Sequence, residues 1–193
     1  MSDFKIAFNK TMVHEGGYAN DSVDTGGETY RGISRRSFPK WDGWLIIDEV
    51  KKSNPKFIKE VINALDNVEL NNSVENLYKK VFWDSFRGDE IPFQKIANIL
   101  FDSSVNMGQT RPIKFLQKTL NSILPGIKLK EDGIYGKGTH SSLMLCVLEE
   151  KNRIALVEGM INKWRNFYYV IVNNNPSQKK FLNGWLRRVK DNE

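Results

Sequence analysis

The chain is poor in the residues that build metal or thiol sites. Its 193 residues include one cysteine and two histidines. Cys146 has no partner, so no intrachain disulfide forms and the fold stands on packing. His14 and His140 make no cluster, and a zinc site is not expected, which argues against a metal-dependent amidase or peptidase. Cys146 lies among Leu143, Leu145 and Val147 and reads as a buried core thiol rather than a nucleophile. Long apolar runs are also missing. Ile123-Leu124 and Leu143 to Leu148 fall far short of the roughly 20 residues a spanning helix needs, so stable membrane insertion is not expected. Met1-Ser2-Asp3-Phe4-Lys5 lacks a basic region followed by a long apolar run, and synthesis in the cytoplasm is expected. Gly133 and Gly136 lack the preceding strand that a phosphate or dinucleotide fingerprint requires. Strand-like alternation is nearly absent.

What is present is an apolar core and an excess of positive charge. Hydrophobic residues make up 40% and aromatics 11%, with five Trp. This suffices for one large domain or two small ones. The net charge of +6 suits an anionic polymer such as nucleic acid, a membrane surface or a bacterial wall. The 23 acidic residues are spread through the chain, and no basic helix offers a polar reading face, so nucleic acid is not an expected partner.

Helical periodicity dominates. Asp3 to His14 places Phe4, Ala7, Phe8 and Met12 on one stripe, and Gly16-Gly17 are expected to end it with a left-handed cap. Ser34 to Trp44 is aromatic and basic, with Pro39 and Gly43 against one long helix. Pro55 is expected at a first helical position, with Phe57, Val61, Ala64 and Leu65 on one face. Ser73 is expected to cap the next helix, with Leu77, Val81 and Phe82 inward. After a break at Gly88 to Pro92, Pro92 opens a helix that ends at Asn106-Met107-Gly108, and Thr110 caps another. A loop from Leu124 to Gly138 precedes a helix restarting near Thr139. Ile154, Val157, Ile161, Trp164, Tyr168 and Ile171 mark a long amphipathic helix, which Asn173 to Pro176 breaks. A last helix carries Phe181, Leu182, Trp185, Leu186 and Val189. The expected fold is all-α, mainly α with a minor β hairpin. The one boundary candidate, near Gly88 to Pro92, separates residues 1–90 from 91–193 without a linker-like composition, so the halves are expected to pack together.

The stretch most suggestive of chemistry is His14-Glu15-Gly16-Gly17-Tyr18, continued through Asp24-Thr25-Gly26-Gly27-Glu28-Thr29 to Gly32-Ile33. It sets one carboxylate just past an apolar helix, where the helix dipole disfavours an ionised side chain. Glycoside hydrolysis needs a proton donor beside the leaving oxygen and a second group for water or for the cation-like transition state. Glu15 suits the first role. Asp21, Asp24 or Glu28 suits the second, with Asp24 preferred because it begins a glycine turn that lets backbone and sugar come close. Thr29 or Tyr30 could hold a water. Trp41, Trp44 and Trp83 could line a glycan groove or fill the core, whereas Trp164 and Trp185 fall on apolar stripes and are expected in the core. Lys179, Lys180, Arg187, Arg188 and Lys190 read as a solvated face or as contacts to a wall polymer.

The stretch from Glu15 to Ile33 resembles the Glu-Gly-Gly-Tyr motif of the glycoside hydrolase 108 family, N-acetylmuramidases of the lysozyme-like superfamily found as phage endolysins and secretion-associated muramidases. The second half is similar to that family's predicted peptidoglycan-binding region, through Phe101-Asp102, Val105-Asn106-Met107-Gly108, Phe115-Leu116-Gln117, Asp132 to Gly136 with Thr139, and Phe181 to Arg188. The resemblance implies a lysozyme-like helical fold, a catalytic region over residues 1–90 and a wall-binding region over 91–193. It implies that Glu15 is the catalytic acid and that Asp24 and Thr29 assist it. Related phage lysozymes place a threonine one residue later, where Tyr30 stands here. Tyr18, Gly27, Tyr30, Trp41 and Asn106 are the expected sugar contacts. Peptidoglycan glycan strands are the expected partner of a monomer that needs no cofactor. A holin or a secretion system is the expected means of reaching the wall. The alternative is a wall-binding secretion accessory without turnover.

Overall fold

The computed structural model describes residues 1–20, 27–53 and 56–193. Helices dominate, joined by one small sheet, in keeping with the mainly α lysozyme-like expectation. The chain divides into two compact units, Phe8–Val81 and Met1–Ala7 with Phe82–Glu193.

Helix α1 spans Phe4–Met12, shorter at its C-terminal end than the sequence suggested. Its stripe is buried through Phe4, Ala7 and Phe8. Turn bonds from His14 N to Thr11 O and from Glu15 N to Met12 O close the helix. Neither Gly16 nor Gly17 has a positive φ, so the expected left-handed cap does not form.

In the Phe8–Val81 unit, β1 (Tyr18–Ala19), β2 (Thr29–Tyr30) and β3 (Ile33–Ser34) make an antiparallel sheet in that order. Tyr18 faces Tyr30 and Ala19 faces Thr29; Thr29 also faces Ser34. Arg31 and Gly32 connect β2 to β3 with φ of 46° and 78°, the left-handed pair of a tight hairpin turn. Helix α2 (Gly43–Ser53) follows, burying Trp44 and Ile47. Periodicity did not reveal it, because Pro39 and Gly43 mask its start. In α3 (Ile58–Ala64) the buried residue is Ile62, while Phe57 is exposed, contrary to the expected stripe. Pro55 lies outside the described residues. Helix α4 spans Val68–Tyr78, and its cap is Asn67, whose side chain accepts from Leu70 N at 2.8 Å. Ser73 therefore lies inside the helix rather than at its start. A π-helical turn, Lys79–Trp83, carries the chain onward.

In the other unit, Trp83 is fully buried and meets Phe4, Phe86 and Phe101 edge-on. Its indole donates to Asp89 at 2.7 Å. Trp83 is thus core, not groove. Helix α5 covers Gln94–Met107, starting two residues after Pro92, and Gly108 ends it with a φ of 80°. Helix α6 covers Thr110–Ile123, with Thr110 as its first residue and no side-chain cap. Helix α7 spans Lys137–Cys146; Cys146 ends it, buried, with burial pushing the thiol up to about 11. The long helix α8, Glu150–Asn174, packs on α6 and on α9, which spans Lys179–Lys190. Asp102 of α5 and Arg188 of α9 form a buried ion pair at 2.8 Å. Asn192 donates to the other Asp102 oxygen at 2.7 Å. Arg188 is accordingly a core residue rather than part of a solvated face.

Candidate active site

Glu15 stands past the last turn of α1, half-buried, at a cleft of about 530 Å³. Asn9 and Met12 of α1, then Val13, Gly16, Gly17, Tyr30, Arg31 and Asn63, share its lining. The β2–β3 turn forms one wall of this cleft. A β-carbon added to Gly32 would lie 2.5 Å from Glu15 Oε2 and 2.6 Å from the Tyr78 hydroxyl. Only a residue without a side chain admits the carboxyl at that spot, and glycine also takes the positive φ of the turn without strain. The turn is pinned by two bonds. Arg31 N donates to Gly17 O at 3.2 Å, and the Tyr78 hydroxyl donates to Arg31 O at 2.7 Å.

Gly17 has a comparable steric reason. A β-carbon there would come within 2.2 Å of Asn63 Oδ1, the oxygen that accepts from Tyr18 N at 2.7 Å. The second glycine of the motif therefore serves close approach of α3 to the strand, not helix termination. Asn63 and Arg31 were not singled out from the sequence. Asn63 could not be, since its partner lies 45 residues away. The Tyr30-Arg31-Gly32-Ile33 run did carry a hairpin signal in its glycine.

Glu28 is bound into an ion network. Arg35 Nε lies 2.6 Å from Oε2, and Lys51 Nζ lies 2.9 Å from Oε1. The Tyr18 hydroxyl donates to Oε1 at 2.8 Å. Burial, followed by the bond to Glu28, pushes the Tyr18 phenol up to about 12. Arg35 also forks onto Asp48 at 2.6 and 3.0 Å, which holds the Asp48 carboxyl below its ordinary range. Glu28 thus organises the sheet against α2, with its oxygens committed to cations and a phenol.

The expected site residues fall into distinct places. Glu15 and Tyr30 line the same cleft. Thr29, on the alternating face of β2, is half-buried and outside that lining. Tyr18 is buried against Glu28, and Gly27 has a φ of 67°. Asp21 and Asp24 lie outside the described residues. Asn106 belongs to the other unit, where Tyr168 donates to its side chain. Trp41 stacks on Tyr30 at 6.3 Å and lines a different groove of about 990 Å³, between α2 and α4. That groove is larger than the Glu15 cleft, but its acids, Asp42 and Glu69, are exposed. Trp44 is core, its indole bonded to Phe38 O at 2.8 Å. Among the described residues no group of three His, Cys, Asp or Glu side chains could hold a metal ion. No helix among them is long and apolar enough to cross a membrane.

Residues 8–108 match the family model described as Glycosyl hydrolase 108. The chain belongs to the glycosyl hydrolase 108 family. Residues 111–190 match the Predicted Peptidoglycan domain. The chain is therefore a glycoside hydrolase of the peptidoglycan-acting class, working on the cell wall. No curated protein matches it. Among solved structures it is similar to that titled Structure of Brucella abortus SagA, with a TM-score of 0.61 and 20% identity over 98% of this chain and 90% of that one. At that identity the likeness shows a shared fold.

Proposed function

We propose that this glycosidase is an N-acetylmuramidase, cleaving the β-1,4 bond between N-acetylmuramic acid and N-acetylglucosamine. Glu15 protonates the leaving oxygen. The observation that carries this reading is the placement of Glu15 in a cleft whose wall, the Arg31–Gly32 turn, leaves room for its carboxyl and no side chain. Such a fixed acid beside an open cleft meets the geometric demand on a general acid. Glu28 is an unsuitable second carboxylate, because two cations and Tyr18 already occupy its oxygens. That leaves Asp21 and Asp24; Asp24, at the spacing the family resemblance expects, is assigned to direct the water or stabilise the cation-like sugar. Thr29 is proposed as its helper, and Tyr30, buried in the cleft lining, as a support for the cleft wall. The proposal assigns catalysis to residues 1–90 and wall attachment to 91–193.

The test is the chemistry of the new chain end. Isolated peptidoglycan is digested and the products reduced with borohydride. Muramitol ends support the proposal. Glucosaminitol ends would make the enzyme a glucosaminidase, and no new ends would favour a wall-binding accessory.

A further inference from the structure

The helices α8 and α9 carry an aromatic ladder that the Glu15 cleft does not use. Tyr168 is buried and fixed from two sides: the Trp164 indole donates to its hydroxyl at 2.8 Å, and that hydroxyl donates to Asn106. Burial pushes this phenol up to about 12, so it remains a donor at physiological pH. Trp185 stacks on Tyr168 with ring centroids 5.0 Å apart and planes 18° apart. Phe181 follows at 5.8 Å from Trp185 and is 46% exposed. Ring by ring, the ladder runs from a hydrogen-bonded core outward to solvent. Nothing lies within 4 Å of a β-carbon built on Gly184, so there is open space on the helix beside Trp185.

The charge carried by α9 is of one sign. Helix α9 reads KKFLNGWLRRVK and contains no acid. Lys179, Lys180, Arg187 and Lys190 are exposed, and the Lys180 ammonium sits 4.9 Å from the Phe181 ring centroid. Arg188 is excluded from this set by its buried pairing with Asp102. A rigid aromatic ring open to solvent is a stacking surface for the apolar face of a pyranose, and lysines beside it pair with carboxylates. Peptidoglycan presents both groups together, as N-acetylated sugars bearing acidic stem peptides.

We propose that Phe181 and Trp185, flanked by Lys179, Lys180 and Arg187, form the wall-attachment face of the 111–190 region. One sugar ring of the glycan strand stacks there, and stem-peptide carboxylates meet the lysines. This rests on the reading of the protein as a peptidoglycan hydrolase. An anionic lipid surface is the poorer occupant, because Phe181 is the one large apolar side chain that α9 exposes.

The test is co-sedimentation of the full chain with insoluble peptidoglycan in the cold, beside vesicles of phosphatidylglycerol. Four proteins are compared: wild type, Phe181→Ser, Phe181→Tyr and Lys179→Glu/Lys180→Glu. Circular dichroism and Tm are measured for each. Phe181→Ser is expected to weaken retention about tenfold while Phe181→Tyr restores it, the behaviour of an aromatic anchor. The charge reversal is expected to weaken retention most at low salt. Cleavage of a short soluble glycan stays as in wild type for all three variants. Equal retention of every variant on peptidoglycan would overturn the inference while leaving the hydrolase reading intact. So would a loss confined to the vesicles. Wild type that neither sediments with peptidoglycan nor releases fragments from it would remove both.

Discussion

Gly32 and Glu15 are mutually constrained: a β-carbon on Gly32 would stand 2.5 Å from a Glu15 carboxylate oxygen. The motif's later glycine thus shapes the place of its acid, although the two are 17 residues apart in the chain. Gly32→Ala is expected to displace the carboxyl and to strain a backbone held at a φ of 78°. A misplacement on the scale of an ångström costs about 100-fold in rate. The left-handed conformation adds about 1–2 kcal/mol of destabilisation. Reducing-end release and thermal unfolding, measured side by side, separate the two effects. A Gly32→Ala enzyme of full activity would contradict the close fit.

The ion network around Glu28 predicts a stability effect. Glu28→Gln weakens the contacts to Arg35 and Lys51 and leaves two partly buried cations less compensated. A drop in Tm is expected, along with weaker protection of the β1–β2 amides in hydrogen exchange. Tyr18→Phe removes one bond to Glu28 and is expected to cost about 1 kcal/mol.

The buried pair Asp102–Arg188 ties α5 to α9. Removing one partner leaves an uncompensated charge, so Asp102→Ala is expected to destabilise by about 3–5 kcal/mol. The double variant Asp102→Leu/Arg188→Met should recover part of that loss. Urea unfolding of the single and double variants measures the coupling.

Alkaline pH should destabilise the fold through buried neutral acids. Tyr18 and Tyr168 are raised to about 12 and Cys146 to about 11, and burial raises Tyr135 as well. Above their ordinary values, near 10 for tyrosine and 9 for cysteine, the unfolded chain loses these protons while the folded chain keeps them. Stability is therefore full below about pH 9 and falls as pH rises towards 11–12. Denaturant midpoints across this range check the slope, and Cys146→Ala should flatten its onset.

The long helix α8 was legible because its apolar spacing is local and repeats over several turns. The same holds for the α1 stripe and for the glycine that ends α5. Caps were less legible. Ser73 and Thr110 have suitable side chains but lie inside their helices, and Asn67 makes the α4 cap instead. A serine or threonine caps a helix start only when its own backbone is extended, as that of Asn67 is, and single residues do not encode that. The Glu15 stretch stood out as a candidate site in the sequence, but the reasons for its residues are long-range. Gly17 answers to Asn63, and Gly32 to Glu15 and Tyr78. Tyr18, expected at the sugar, is buried on Glu28 instead. Such pairings arise when segments far apart in sequence meet, and periodicity carries no trace of them.

Under the proposed function, Glu15 is the proton donor. The most direct test of that role is the initial rate of reducing-end release from purified peptidoglycan by wild type and Glu15→Gln, at equal concentration and with matched circular dichroism. If Glu15 is the donor, the Glu15→Gln rate falls at least about 100-fold below wild type, the order expected on losing a general acid. A Glu15→Gln enzyme as fast as wild type would contradict it.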